Sequence, residues 1–195
     1  MKLLFAFLML TTSQIYAACK PVHYLVIGQS NAAIMSQYVD LPTVFGDGQC
    51  KALVTVAAKG GKPASYFLFS ADKKSPYQVL ENTLKHRPKI DKILLLQGES
   101  DAGVPELAYS WSAKWAALLQ HYKEKYGSKN IQLHLWVLRG DDNVYPMWLR
   151  LREIQMVAFN DLMPVKLIDS TQFEHDYSKV HLLDDQYYLL AQAMK

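Results

Sequence analysis

Two short apolar runs constrain this chain more than any other feature. Tyr24–Ile27 breaks into Gly28-Gln29-Ser30-Asn31, and the strand-like Ile90–Leu96 breaks into Gln97-Gly98-Glu99-Ser100-Asp101. Unbroken apolarity over so few residues fits strands of a parallel sheet, which are covered on both faces. Parallel strands need crossover connections, normally helices. The rest of the sequence supplies that alternation.

Strands are expected over 22–28, 52–58, 90–96, 131–138 and 165–168. Helices are expected over 31–38, 77–86, 145–162 and 181–194. The clearest helix lies between Pro105, suited to the first helical position, and Gly127, suited to the residue just past the end. Its Leu107, Trp111, Leu118, Tyr122 and Tyr126 recur at helical spacing, which places Trp111 and Trp115 in the core or a groove wall. Pro42, Gly46, Asp47 and Gly48 mark 41–49 as a loop, and 139–143 and 169–180 read as polar loops. Right-handed crossovers then give one three-layer α/β/α domain around a five-stranded parallel sheet. In the flavodoxin-like strand order 2-1-3-4-5, strands one and three are neighbours and ligands bind beyond their carboxyl ends. Both polar motifs would meet there.

The chain of 195 residues is half apolar and one-fifth charged, enough for a packed core. A net charge of +3 with scattered Lys and Arg gives no nucleic-acid footprint, and Lys123, Lys125 and Lys129 sit where cations offset a helix dipole. Lys2, the apolar Leu3–Leu10 and Ile15-Tyr16-Ala17 read as an export signal over residues 1–17, leaving 18–195 as the domain, periplasmic or secreted. That run is too short to span a membrane, so no transmembrane segment is expected in the mature chain. Tyr16 disfavours lipid attachment at Cys19. In an oxidising compartment Cys19 and Cys50 are expected to pair. Neither has the spacing of a zinc site.

A serine at the end of a first strand suits acyl transfer once a base takes its proton. His23 lies at the wrong end of its strand, His134 mid-strand, and His86 and His121 on helices. Only His175 and His181 follow a strand's carboxyl end, and His181, expected to open the last helix, is the favoured base. Donors for the oxyanion are expected from the Ser30 amide, the Gly60-Gly61 turn and the Gln97 side chain. Gln29, Asn31, Glu99 and Asp101 are expected to bind substrate or support the site. An α/β-hydrolase is disfavoured. Ala32 replaces the last glycine of its elbow, and only about a dozen mature residues precede Ser30.

Taken together, Gly28-Gln29-Ser30-Asn31, Gly60-Gly61, Gln97-Gly98-Glu99-Ser100-Asp101 and Val180-His181-Leu182 resemble the SGNH hydrolase superfamily. The closest type resembles carbohydrate acetylesterases related to sialic-acid-specific O-acetylesterases. The resemblance implies a flavodoxin-like fold and hydrolysis of sugar acetyl esters with no metal or other cofactor. Ser30 would be nucleophile, His181 base, and Ser30, Gly60 or Gly61, and Gln97 the oxyanion hole. The superfamily usually has Asp two or three residues before the histidine, where this chain has Lys179 and Ser178. Asp176 is the expected acid, with Ser178 or a backbone carbonyl as the alternative orienting group. An acetylated carbohydrate or another small ester is the expected substrate. An acyl-chain lipase or thioesterase, and a silent carbohydrate-binding protein, are the competing readings.

Overall fold

A computed structural model describes residues 19–140 and 143–195. The export signal expected over residues 1–17 lies outside them, as do two residues of the polar loop after the fourth strand. Five parallel strands, β1 (His23–Gly28), β2 (Leu53–Ala58), β3 (Ile90–Leu96), β4 (Gly127–Val137) and β5 (Val165–Asp169), form one sheet in the order β2-β1-β3-β4-β5. This is the expected α/β/α architecture and strand order.

The helices are α1 (Ser30–Tyr38), α2 (Leu41–Phe45), α3 (Pro76–Leu84), α4 (Pro105–Tyr126), α5 (Trp148–Val157) and α6 (Gln186–Met194). Side chains alternate across each strand. Leu25, Ile27, Ile93, Leu95, Leu133 and Leu135 therefore join one core with α3, α4 and α5. Tyr24, Val26, Leu94, Leu96 and Trp136 join a second with α1, α2 and α6. Two covered faces explain why the strand sequences are unbroken apolar runs. Trp111 and Trp115 are fully buried in the first core.

Several boundaries differ from the sequence reading, each for a local reason. Residues 41–45 are helical: Asp40 caps α2 by accepting from the Thr43 hydroxyl at 2.7 Å, and Pro42 fits its first turn. Gly127 does not enter the left-handed region; at φ −68° it leads straight into β4. Glycine is needed there because a Cβ would lie 2.5 Å from the Lys123 carbonyl oxygen. Helix α5 starts after Pro146 and ends where Phe159 turns to φ +70°. Helix α6 starts at Gln186, so His181 does not open it. The backbone at His181 is instead tied to the opposite strand of a small hairpin: Asp176 N–H donates to His181 O at 2.9 Å, and His175 bridges Leu182.

Cys19 and Cys50 form a disulfide with a Cα separation of 5.9 Å. It joins the chain ahead of β1 to the segment ahead of β2, and it occupies the sulfur that a lipid anchor at Cys19 would need. None of the helices among the described residues is long and apolar enough to cross a membrane.

The end of β1 is the tightest point of the sheet. Gly28 adopts φ +155°, and a Cβ there would lie 1.9 Å from the Leu96 carbonyl oxygen. That oxygen accepts from Gln29 N–H at 2.8 Å, so it cannot retreat without losing the bond. Gly28→Ala should therefore cost about 3 kcal/mol or more. Gly48→Ala, with φ +89° but open space around it, should cost only about 1–2 kcal/mol. Denaturant unfolding of the two variants measures the difference; equal losses would show that the Leu96 contact is not limiting.

Candidate active site

The glycine turn after β1 places Ser30 at the first position of α1. A first-turn N–H has no partner within its own helix, so the Ser30 amide is available. The loop after β2 approaches from one side: Lys59 N–H donates to Gly28 O at 3.0 Å, and a Cβ on Gly60 would lie 3.7 Å from Ser30 Cβ. Gly60 and Gly61 are exposed, and Gly61 adopts φ +66°.

His181 approaches from the other side. Its Nε2 lies 2.8 Å from Ser30 Oγ, across 151 residues of sequence. Its Nδ1 lies 3.8 Å from Asp176 Oδ2, close enough for charge attraction but too long for a hydrogen bond. Ser178 directs its hydrogen bonds to Asp176 and to backbone, not to the ring. Its N–H donates to Asp176 Oδ1 at 2.9 Å, its hydroxyl also donates to that oxygen, and its Oγ accepts the His181 N–H at 3.3 Å. Ser178 thus shapes the turn that carries both Asp176 and His181. His175 points elsewhere, with Nδ1 2.9 Å from Phe173 O. His23, His121 and His134 contact Thr55, Glu81 and the Met194 carbonyl, away from Ser30.

Gln29 and Gln97 lie buried beneath the serine. Gln29 Oε1 accepts from Gln97 Nε2 and Gly98 N–H, both at 3.1 Å, and from Ser100 N–H at 3.3 Å, while its Nε2 donates to Ser100 Oγ at 2.6 Å. Gln97 Nε2 also faces Lys62 O and Asp101 Oδ2, and its Oε1 accepts from the indoles of Trp111 and Trp115. The Gln97 amide is therefore committed to this network and fully covered, contrary to its expected role as an oxyanion donor. Asp101 accepts Ala64 N–H at 2.9 Å and so anchors the far end of the Gly60-Gly61 loop. Burial raises its carboxyl pKa.

Sequence reasoning missed three supports of this region. Gln155 on α5 donates to Gln97 O at 3.0 Å and accepts Leu138 N–H at 2.8 Å, bracing the ends of β3 and β4. The two tryptophans fix the Gln97 amide. Tyr187 on α6 donates to Asn31 Oδ1 at 2.9 Å. None belongs to a motif; each is a buried residue on a helix face, and only the fold brings it to the site.

Fold and site together define the class: a three-layer α/β/α domain with a serine–histidine pair beyond the carboxyl ends of β1 and β3. A family model described as carbohydrate esterase, sialic acid-specific acetylesterase, matches residues 45–195. The chain belongs to that family, and is therefore an esterase. Among solved structures it is similar to a protein from Arabidopsis thaliana, with 14% identity and a TM-score of 0.68, covering 90% of this chain and 96% of that one. It is similar to a carbohydrate acetylesterase from Xanthomonas citri, with 14% identity and a TM-score of 0.65. That match covers 88% of this chain but 55% of the other, so the chain spans about half its length. A family 3 carbohydrate esterase from Talaromyces cellulolyticus shares 10% identity at a TM-score of 0.59, covering 88% of this chain and 94% of that one. At these identities the likeness is one of fold. A comparison with curated proteins gives no match.

Glu99 is the most perturbed acid near the serine. It is fully enclosed, and burial pushes its pKa up to about 7, only partly opposed by the Asn31 amide that donates to Oε1 at 2.8 Å. Its Oε2 has no hydrogen-bond partner among the described residues. A carboxyl that holds its proton more tightly when folded stabilises the fold at low pH. That stability is lost as pH rises from its ordinary 4.5 to about 7, a change on the order of 3 kcal/mol. Glu99→Gln keeps the acceptor for Asn31 and cannot ionise. Its stability relative to wild type should grow between pH 4.5 and 7, as read from parallel thermal melts. A constant difference across that range would exclude the linkage.

Proposed function

We propose that this chain is an exported serine esterase that removes O-acetyl groups from a carbohydrate, using Ser30 as nucleophile and His181 as base. The observation that carries this reading is the 2.8 Å contact between His181 Nε2 and Ser30 Oγ at the helix start beside Gly60. His181 takes the hydroxyl proton while Oγ bonds to the acetyl carbon. The amides of Ser30 and Gly60, with Gly61 adjoining, receive the negative oxygen; Gln97 supports them from below. As the intermediate collapses, the sugar oxygen leaves with the proton from His181. A water, deprotonated by the same imidazole, then attacks the acetyl-serine. Acetate departs and Ser30 regains its proton.

Asp176 acts in this scheme mainly through charge. At 3.8 Å it stabilises the imidazolium, while the turn built by Ser178 keeps the ring in place. Export is supported by the disulfide and by the sequence of residues 1–17.

A second reading, hydrolysis of longer acyl esters, has one observation in its favour. A cavity of about 210 Å³ lies between the edge strand β2 and α3, lined by Val56, Ala58, Tyr66 and Val79 among others, and it reaches Lys59 next to Gly60.

Turnover of p-nitrophenyl acetate and of an O-acetylated sugar tests these assignments. Ser30→Ala and His181→Ala should each lower kcat by about 10⁴-fold or more. Asp176→Asn should cost less than the roughly 10⁴-fold seen when a hydrogen-bonded triad acid is removed. Full activity in Ser30→Ala would end the serine-esterase reading. A rate that climbs from acetyl to octanoyl esters would favour the second one.

A further inference from the structure

The residue after the nucleophile is tied to both neighbours of the base, directly to Val180 and through Tyr187 to Leu182. Asn31 Nδ2 donates to Val180 O at 3.1 Å and to Glu99 Oε1 at 2.8 Å. Asn31 Oδ1 accepts the Tyr187 hydroxyl proton at 2.9 Å, and that hydroxyl oxygen accepts Leu182 N–H at 3.3 Å. Val180 and Leu182 flank His181. Asn31 and Glu99 are enclosed, and Tyr187 is 1% exposed. Two polar side chains therefore link the helix bearing the serine to the hairpin bearing the histidine, without touching either reacting group.

We infer that Asn31 and Tyr187 form a clasp that positions His181 against Ser30 and so sets the rate of proton transfer. The inference rests on the esterase reading above. Its geometry is specific. The amide of Asn31 is planar, with two N–H donors fixed relative to one acceptor. Holding Val180 O and the Tyr187 hydroxyl at once fixes the height of the hairpin above α1. Every member of the clasp is buried, so bulk water does not compete for its hydrogen bonds. A shift of about 1 Å in a reacting pair is enough to cost about 100-fold in rate. Asp176 cannot do this work: it stands on the same hairpin as His181 and moves with it. The Tyr187 hydroxyl keeps its proton, since burial raises its pKa despite the Leu182 N–H, and the nearby carboxyls of Asp176, Glu99 and Asp184 add to the rise. It remains a donor to Asn31 throughout.

The test is steady-state hydrolysis of p-nitrophenyl acetate by wild type, Ser30→Ala, Tyr187→Phe, Asn31→Asp, Asn31→Asp with Glu99→Gln, and Tyr122→Phe, each well below its melting temperature. Tyr187→Phe removes only the hydroxyl and should lower kcat about 10-fold with KM within about 2-fold of wild type. Asn31→Asp replaces a donor facing Glu99 and Val180 O with an acceptor, and should lower kcat about 100-fold. Adding Glu99→Gln gives the introduced carboxylate a new donor and should restore about 10-fold of that loss. Tyr122→Phe is the control: Tyr122 is equally buried, its hydroxyl has no partner among the described residues, and it lies on α4 away from this clasp. Its kcat should match wild type. A Tyr187→Phe enzyme that melts earlier yet keeps wild-type kcat would reduce the clasp to a structural role and overturn the inference. So would an Asn31→Asp loss that Glu99→Gln leaves unchanged. If Ser30→Ala matches wild type, the esterase reading itself fails and the clasp falls with it. A Ser30-dependent rate with Tyr187→Phe unaffected sinks the clasp alone.

Discussion

The mutual hydrogen bonding of two buried amides, Gln29 and Gln97, is the constraint around which the site is built. Amides removed from water must find partners or destabilise the fold. Here Gln29 Oε1 collects three N–H donors from the end of β3, and Gln97 is held by two indoles from α4. The ends of β1 and β3 are thereby locked at the point where each strand turns. Because Asp101 belongs to the same network and accepts Ala64 N–H, the loop after β2 is fixed to it as well. Ser30 then sits on a rigid platform whose position is set by buried polar contacts.

Much of this is legible in the sequence. Strands covered on both faces leave unbroken apolar runs, so β1 and β3 are readable, and their alternation with helices makes the sheet parallel, while the order 2-1-3-4-5 is one of several that alternation allows. Ser30 is readable because it stands at the carboxyl end of the first strand. His181 is reached by elimination, although the rigidity expected of it from a helix start comes in the fold from a hairpin. Gln97 departs from its expected role because a motif gives a residue's place and not its neighbours. Nothing in the sequence reveals that two tryptophans on the next helix aim their N–H groups at it. Tyr187 is invisible for a similar reason, since on α6 it falls among apolar residues and only one polar atom distinguishes it from core.

The carboxylate nearest the histidine shows how a departure from a family pattern changes local geometry. Ser178 stands where the superfamily usually has Asp, yet a carboxylate still faces the imidazole from Asp176. The cost is distance: 3.8 Å in place of a hydrogen bond. Ser178 contributes to the turn instead, accepting backbone N–H groups at Val180 and His181. The tasks of facing the imidazole with charge and of fixing its backbone are divided between two residues two positions apart. Turns with local side-chain bonds of this kind are intrinsically stable.

The contact between Ser30 and His181 spans nearly the whole described chain, and this has a consequence for how the protein comes into being. The surroundings of Ser30 are in place once β1, β2 and β3 have met, but His181 joins it only when β5 and the segment beyond it have docked. Contacts of such long sequence separation carry a loop-closure cost that the intervening structure must offset. A chain truncated before β5 therefore has Ser30 without its imidazole partner. The pairing of Ser30 with His181 is thus a property of the whole fold and of neither motif alone.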